Sequence, residues 1–343
     1  MGNASSRPTT SNKILIILLN WNGKKDTLEC LESLAKVSYP NFTTIVVDNG
    51  SSDDSVIAIR NKFPSIPIFE TKENLGFAGG NNVGIAWGLK KDFEWILLLN
   101  NDTTVAPDFL ESFLESAKQE PKAKILGAKI YRTKNPQQID HLGGIWNPKI
   151  AEFLSLHSGQ IEDNASFESM EKVDYVCGAA LMMHRSVPET IGLLEERYFL
   201  FWEETDFCCR ARRLGFEVWT APKAKIWHKV SSSFTGGKPQ MHYFWWRSRL
   251  LWIERNCLFP EKKILYRTII FPEIWKTLRH YFLHSLRNGL KRLTFQKTSD
   301  EDYQKALRNK AGLIGAFHYW KKRFGNCPES MRKKGRPRTG TPS

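Results

Sequence analysis

Glu203, Glu204 and Asp206 fall within four positions in the stretch FWEETDFCCRARR (201–213), beside Phe201, Trp202 and Phe207. Three carboxylates that interrupt an apolar stretch are more than a solvated face. On a helix, Glu203 and Asp206 share one side, and Arg210, four residues past Asp206, can pair with it. Glu204 then points elsewhere and keeps a carboxylate free for general-base work. Acids capping a helix at its positive end account for one or two of the three, not for all.

A second set of polar residues follows apolar runs. Asn100-Asn101-Asp102 succeeds WILLL, and His228 succeeds AKIW. One carboxylate with an imidazole or substrate oxygens can hold a hard divalent ion that bridges two phosphates. A single histidine is more often structural, so His228 counts only in combination with Asp102. Asp48, ahead of Asn49-Gly50-Ser51, can accept hydrogen bonds from a base or ribose, although an Asx turn explains the same residues structurally. ENLGFAGGNN (73–82) can bring backbone N–H groups close to a ligand, with Asn81 or Asn82 beside a helix start. Gly76, Gly79 and Gly80 are spaced wrongly for a dinucleotide fingerprint, and no Walker-type phosphate loop occurs, which weighs against oxidoreductase and P-loop readings.

These residues need elements to carry them. Strand-sized apolar runs at 13–19, 43–47, 66–69 and 94–99 alternate with helical patterns. The first helical pattern carries Leu28, Leu31 and Leu34; the second carries Val56, Ile57 and Ile59; the third covers 84–89. Such alternation predicts a mostly parallel sheet covered on both faces. Its ligand crevice lies at the carboxyl ends of the strands, where Asn20–Asn22, Asp48–Ser52 and Asn100–Asp102 fall. Any one of these clusters is ordinary turn chemistry; three together point to a site.

The charge separates the chain into two parts. Of the net charge of +14, residues 1–260 contribute nothing, with 30 basic and 30 acidic side chains, whereas residues 261–343 hold 20 basic and 6 acidic ones. A neutral body with a basic appendage suggests a docking surface. No apolar run reaches the length of a spanning helix. The N-terminal dozen residues are polar and without the apolar centre of a secretory signal, though Gly2 and Ser6 match a myristoylation pattern. Six cysteines (Cys30, Cys177, Cys208, Cys209, Cys257, Cys327) lack metal-site spacing and fit free thiols in a reducing cytosol.

Taken in order, NWNG, VVDNGSSDDS, ENLGFAGGNN, LLLNNDTTV, CGAALMMHR, YFLFWEETDFCCRARRLGF and WH resemble family 2 glycosyltransferases, and among them the rhamnosyltransferase-like branch that builds bacterial polysaccharides. The resemblance covers about residues 13–235. It implies a GT-A fold, a Rossmann-like α/β sandwich, and inverting transfer from a nucleotide-diphosphate sugar. Carried across by motif, Asp48 contacts the nucleoside, with Asn20 near it, and Asn74, Gly76 and Asn82 line the donor pocket. Asn100, Asn101 and Asp102 occupy the family's Asp-x-Asp position, and His228 its later metal-binding histidine, for Mg2+ or Mn2+. Glu204 takes the place of the base, flanked by Glu203 and Asp206. Two departures stand out: Asn100 replaces the first metal-site acid, and Glu204 replaces the more usual Asp.

The expected organisation is a disordered N-terminus (1–12), a catalytic domain (13–235), a helical, membrane-associating region (236–327) opened by a link at Gly236–Pro239, and a disordered basic tail (328–343). In the helical region, Phe271, Ile274, Trp275, Leu278, Phe282, Leu286, Leu290 and Leu293 cluster on one side at 100° per residue, and Lys276, His280, Arg287 and Lys291 on the other. That pattern fits a helix lying in a membrane interface, or a face packed on the catalytic domain or a second subunit. The function expected is sugar transfer, rhamnose being one candidate, to a saccharide or lipid-linked acceptor at the inner face of the cell membrane. The alternatives are a nucleotidyltransferase acting on sugar phosphates, which should show a basic glycine-rich loop where residues 20–25 read NWNGKK, and a basic nucleic-acid-binding protein, for which no recognition module occurs.

Overall fold

The computed structural model describes residues 12–162, 167–229, 238–293 and 300–332. The N-terminal tail before Asn12, with Gly2, therefore lies outside the described residues, as do Gly236, Gly237 and the chain beyond 332. The described residues form two compact units, one of 12–147, 152–196 and 203–229, the other of 148–151, 197–202 and the chain from 238 onward.

The first unit opens with the expected alternation: β1 (Ile14–Asn20), α1 (Lys24–Leu34), β2 (Phe42–Asp48), α2 (Ser55–Lys62), β3 (Ile68–Glu70), α3 (Gly76–Leu89) and β4 (Trp95–Asn100). It continues with β5 (Thr103–Val105), α4 (Phe109–Gln119), β6 (Ala123–Arg132), β7 (Asn135–His141), the hairpin β8 (Gly144–Asn147) and β9 (Glu152–Ser155), β10 (Ala180–His184), α5 (Ser186–Ile191), α6 (Glu203–Arg213) and β11 (Glu217–His228). The main sheet runs β3-β2-β1-β4-β10-β6-β11-β5, with β7 added beside β6. Its first four strands are parallel, and β10 enters antiparallel between β4 and β6.

Alternation along β1 shows why the apolar runs became buried strands. Ile14, Ile16 and Leu18 pack with Leu31 and Leu34 of α1 and Phe109 and Phe113 of α4. Leu15 and Ile17 pack on the other face with Ile85 of α3 and Phe207 of α6. A sheet covered on both faces has no polar side, which explains continuous rather than alternating hydrophobicity. Helix α3 starts eight residues earlier than its clearest apolar pattern because glycines hide its contact face. A Cβ on Gly80, Gly84 or Gly88 would sit 2.3–2.7 Å from Leu19, Ile17 or Leu15. Much of the glycine in ENLGFAGGNN thus serves helix-on-strand packing. Ile57, expected on the inner face of α2, is exposed.

The second unit contains α7 (Pro239–Asn256), α8 (Phe259–Leu265), a π-helical turn (Tyr266–Ile270), α9 (Phe271–Leu293), α10 (Asp300–Trp320) and α11 (Glu329–Arg332), the last a short helix where a disordered tail was expected. Helix α10 packs closely on α7, since a Cβ on Gly315 would sit 2.2 Å from the Tyr243 carbonyl oxygen. Two arginines of α7 are fully buried, and of their donors Arg247 Nε has no hydrogen-bond partner. Arg247 donates to the carbonyls of Tyr198 and Gly325, and Arg249 to those of Ile150 and Ala151 and to Glu273. On α9 the half-buried stripe is Ile274, Thr277, Tyr281, His284 and Asn288, and the apolar residues around the other side are exposed: Phe271 55%, Trp275 69%, Phe282 62%, Leu286 63% and Leu290 55%. Lys276, Arg279, His280 and Arg287 are exposed beside them. No helix among the described residues is long and apolar enough to cross a membrane.

Candidate active site

The carboxyl ends of three adjacent strands bring the expected polar residues together. Asn20 sits opposite Asp48 in the β1–β2 register, and Asn100 opposite Leu19 in the β1–β4 register. Asp48, 3% exposed, accepts hydrogen bonds from Asn20 Nδ2 (2.7 Å), Ser51 Oγ (2.6 Å) and the Ser51 backbone N–H (3.0 Å). Asn20 Oδ1 in turn accepts from Thr27 Oγ1 at 2.8 Å and from Asn101 Nδ2 at 3.3 Å. Gly23 is required beneath this network, because a Cβ there would lie 2.4 Å from Asn101 Nδ2. Asn101 braces the first turn of α1, its Nδ2 donating to Thr27 Oγ1 at 2.8 Å. Sequence alone did not single out Thr27 or Ser51, whose hydroxyls complete the network.

The metal-position residues also converge. His228 Nε2 lies 3.0 Å from Asp102 Oδ1 and 3.4 Å from Asn100 Nδ2. The contact follows from topology: β11 pairs antiparallel with β5, which sets His228 opposite Thr103, one residue past Asp102. Both side chains are about 15% exposed. Lys229, next in the chain, is fixed by Asp26 Oδ1 (2.6 Å) and Glu29 Oε2 (2.7 Å) of α1. Among the described residues no group of three or more His, Cys, Asp or Glu side chains could hold a metal ion. Asp102 and His228 nonetheless fit one, being an oxygen and a nitrogen donor of the types that bind Mg2+ or Mn2+. With only two such donors, most coordination positions stay open for substrate oxygens.

On the loop before α3, Asn49 holds the backbone in shape. Its Oδ1 accepts from the Leu75 N–H at 2.9 Å, and its Nδ2 donates to the Gly76 carbonyl at 2.9 Å. Asn74 Oδ1 accepts from the Gly76 N–H at 2.8 Å, and Gly76 has a φ of +74°, a value that favours glycine. Asn82 is elsewhere. Its amide bonds to the Leu194 backbone and to Glu196 Oε1, and so holds a neighbouring segment.

Helix α6 begins with the acids. Asp206 is fully buried and paired with Arg210 at 2.8 Å, the pairing that the four-residue spacing anticipates. Glu203 and Glu204 each keep a buried Oε2 without a hydrogen-bond partner. Burial pushes the Glu204 carboxyl up to about 7, and burial together with the neighbouring Glu204 charge pushes Glu203 well above the usual range. Of the two, Glu204 has its Cβ beside Gly178 in the lead-in to β10, a glycine that Phe77 of α3 also approaches. A buried carboxylate near neutrality is poised to take a proton.

Residues 15–192 match the family model for glycosyl transferase family 2. The chain belongs to that family. A relative from Mycobacterium tuberculosis, an N-acetylglucosaminyl-diphospho-decaprenol L-rhamnosyltransferase, is 24% identical over 276 residues, covering 69% of this chain and 88% of the relative. The dTDP-rhamnosyl transferase RfbF of Shigella flexneri is 22% identical over 279 residues, covering 78% and 88%. Among solved structures, the mannosyltransferase PcManGT of Pyrobaculum calidifontis, in complex with GDP-Man and Mn2+, superposes with a TM-score of 0.54 at 13% identity, over 92% of this chain and 90% of that one. This family 2 member is thus a glycosyltransferase with a GT-A fold, and neither alternative function finds support.

Proposed function

We propose that this glycosyltransferase inverts the anomeric centre as it moves a sugar, rhamnose being the one the relatives favour, from a nucleoside diphosphate to a hydroxyl of a saccharide or lipid-linked saccharide in polysaccharide synthesis. The observation that carries the reading is the half-buried Glu204, whose Oε2 is buried without a hydrogen-bond partner and whose proton affinity lies near neutrality. In a single displacement, the acceptor oxygen bonds to the anomeric carbon while the bond from that carbon to the diphosphate breaks. Glu204 takes the hydroxyl proton, and the departing diphosphate keeps the electron pair. No enzyme nucleophile is needed. Asp48 and Asn20 orient the nucleoside, and Asn74 and Gly76 shape the donor loop. Asp102 and His228 hold Mg2+ or Mn2+ with Asn100 alongside; when bound there, the ion supplies charge neutralisation for the leaving diphosphate.

The second unit is the docking part of this reading. The exposed apolar face of α9, bordered by Lys276, Arg279, His280 and Arg287, suits peripheral attachment to an anionic membrane surface on the cytoplasmic side. Incubation with a panel of nucleotide sugars, a lipid-linked saccharide acceptor and Mg2+ or Mn2+ tests the whole reading. It expects acceptor-dependent release of nucleoside diphosphate and a product of inverted configuration. A retained configuration, or no release with any donor, overturns it.

A further inference from the structure

Two side chains outside the reacting centre grip the same irregular segment from opposite sides. Asn82, 5% exposed on α3, meets Leu194 as a strand neighbour would: its Oδ1 accepts from the Leu194 N–H at 3.0 Å, and its Nδ2 donates to the Leu194 carbonyl at 2.9 Å. The same Nδ2 reaches Glu196 Oε1 at 3.0 Å. On α6, Arg210 spends its guanidinium three ways, with Nε to Asp206 at 2.8 Å, Nη1 to the Ile191 carbonyl at 2.7 Å and Nη2 to the Leu193 carbonyl at 2.8 Å. It also lies over the Phe207 ring at 5.4 Å. The fork geometry of arginine lets one side chain serve a carboxylate and two carbonyls at once, and no lysine can do so.

We infer that Asn82 and Arg210 are positioning residues that lock α6, and with it Glu204, in register with the donor-side helix α3 through residues 191–196. Gly192 follows α5 with a φ of +78°, and from there to Leu194 the segment has no regular backbone pairing of its own. Leu194 is buried in the core, and these two side chains hold the backbone of the segment. Glu204 lies six residues before Arg210, about 9 Å along the helix axis. A tilt of α6 permitted by a loosened grip moves the carboxyl relative to the sugar, and a displacement of about 1 Å can cost roughly 100-fold in rate. The inference rests on Glu204 as the base.

The variants R210K and N82D test it in the full chain. R210K keeps a cation for Asp206 and gives up the carbonyl grips. N82D keeps an acceptor for Leu194 N–H and sets a carboxylate against Glu196 and the Leu194 carbonyl. Each is expected to lower kcat by about 10- to 100-fold with nucleoside diphosphate affinity nearly unchanged. The acidic limb of kcat against pH should also move to lower pH, because a loosened α6 admits water beside Glu204. The titratable groups facing Glu204 are Glu203 and Cys208 on α6 and Tyr175 and Cys177 ahead of β10; burial holds the two thiols at about 12 and pushes the Tyr175 phenol up as well. That leaves Glu203, pushed well above the usual carboxyl range by burial and the Glu204 charge, as the acid beside it. Adding E196Q to N82D restores a donor in the reverse direction and should recover part of kcat. Folded variants with unchanged kcat and limb, or a kcat loss that follows melting temperature with the limb unmoved, overturn the inference. E204Q separates the levels: full turnover in E204Q removes the base itself, whereas an inactive E204Q with unaffected R210K and N82D removes only the clamps.

Discussion

The two units use the same side-chain types in opposite ways. At the carboxyl edge of the sheet, carboxylates and amides are drawn inside: Asp48 is spent on Asn20 and Ser51, Asp206 on Arg210, and Glu203 and Glu204 are left buried with unsatisfied oxygens. In the helical unit the buried charges are arginines that donate mainly to backbone carbonyls, Arg247 Nε being left without a partner, whereas tryptophan, phenylalanine and leucine face outward along α9. A buried, unsatisfied acid is costly unless its changed proton affinity is used. A row of exposed large apolar groups is likewise costly to solubility unless a surface covers it. Each unit therefore carries a cost that suits the work proposed for it, proton transfer in one and docking in the other, and the two should be separable by mutation.

The largest effect belongs to the base. E204Q keeps size and burial but cannot take a proton, so turnover should fall by about 100- to 10,000-fold. Donor binding, followed by nucleotide titration, and binding of vesicles should both persist. Joint loss of all three would mean that the two units are not separable.

Next comes the ion. D102A and H228A each remove one of two strong donors, and divalent-ion stimulation of nucleotide binding should weaken by about 10-fold or more. Chelation of the wild-type protein should reproduce that loss without altering vesicle attachment. If H228A binds nucleotide with unchanged ion dependence, the 3.0 Å contact with Asp102 is a structural hydrogen bond only.

The docking face gives the converse result. W275D combined with L286D places charge in the middle of the exposed apolar row and should reduce partition onto phosphatidylglycerol-containing vesicles by at least about 10-fold. Transfer to a water-soluble acceptor should be unaffected. Raising ionic strength to about 0.5 M should weaken wild-type attachment, since the bordering cations act through a screened field. Dimerisation that disappears in W275D/L286D, without vesicle binding by either protein, would assign the face to a second copy of the chain.

What was legible in the sequence followed the same division. Buried parallel strands announce themselves as continuous apolar runs, and their polar ends at Asn20, Asp48 and Asn100 mark the crevice. The Asp206–Arg210 pair follows from spacing on one helix. Partners supplied by distant segments did not show: Asn82 with Leu194, Asn101 with Thr27, and Arg210 with the carbonyls of residues 191 and 193 depend on tertiary placement. The glycines of α3 misled for a related reason, because room for a ligand and room for a strand leave the same residue. The α9 face was legible in period, but not whether it would be covered.

The smallest effect tests the cost of the buried acids directly. In the unfolded chain Glu203 titrates near 4.3, whereas in the fold burial and the Glu204 charge hold its proton to much higher pH. Between the two values the native state retains a proton that the unfolded state has released, so stability falls as pH rises through that window. E203Q is nearly isosteric and removes this share. Its melting temperature should exceed that of the wild type by a few degrees at pH above about 7, and the difference should shrink as pH falls toward 4. Melting curves at several pH values measure it, with turnover recorded in parallel. A higher melting temperature with reduced kcat would show that the stability cost of Glu203 is tied to turnover. Identical curves at every pH would mean that the pair carries no such cost, and that the contrast between the two units rests on the docking face alone.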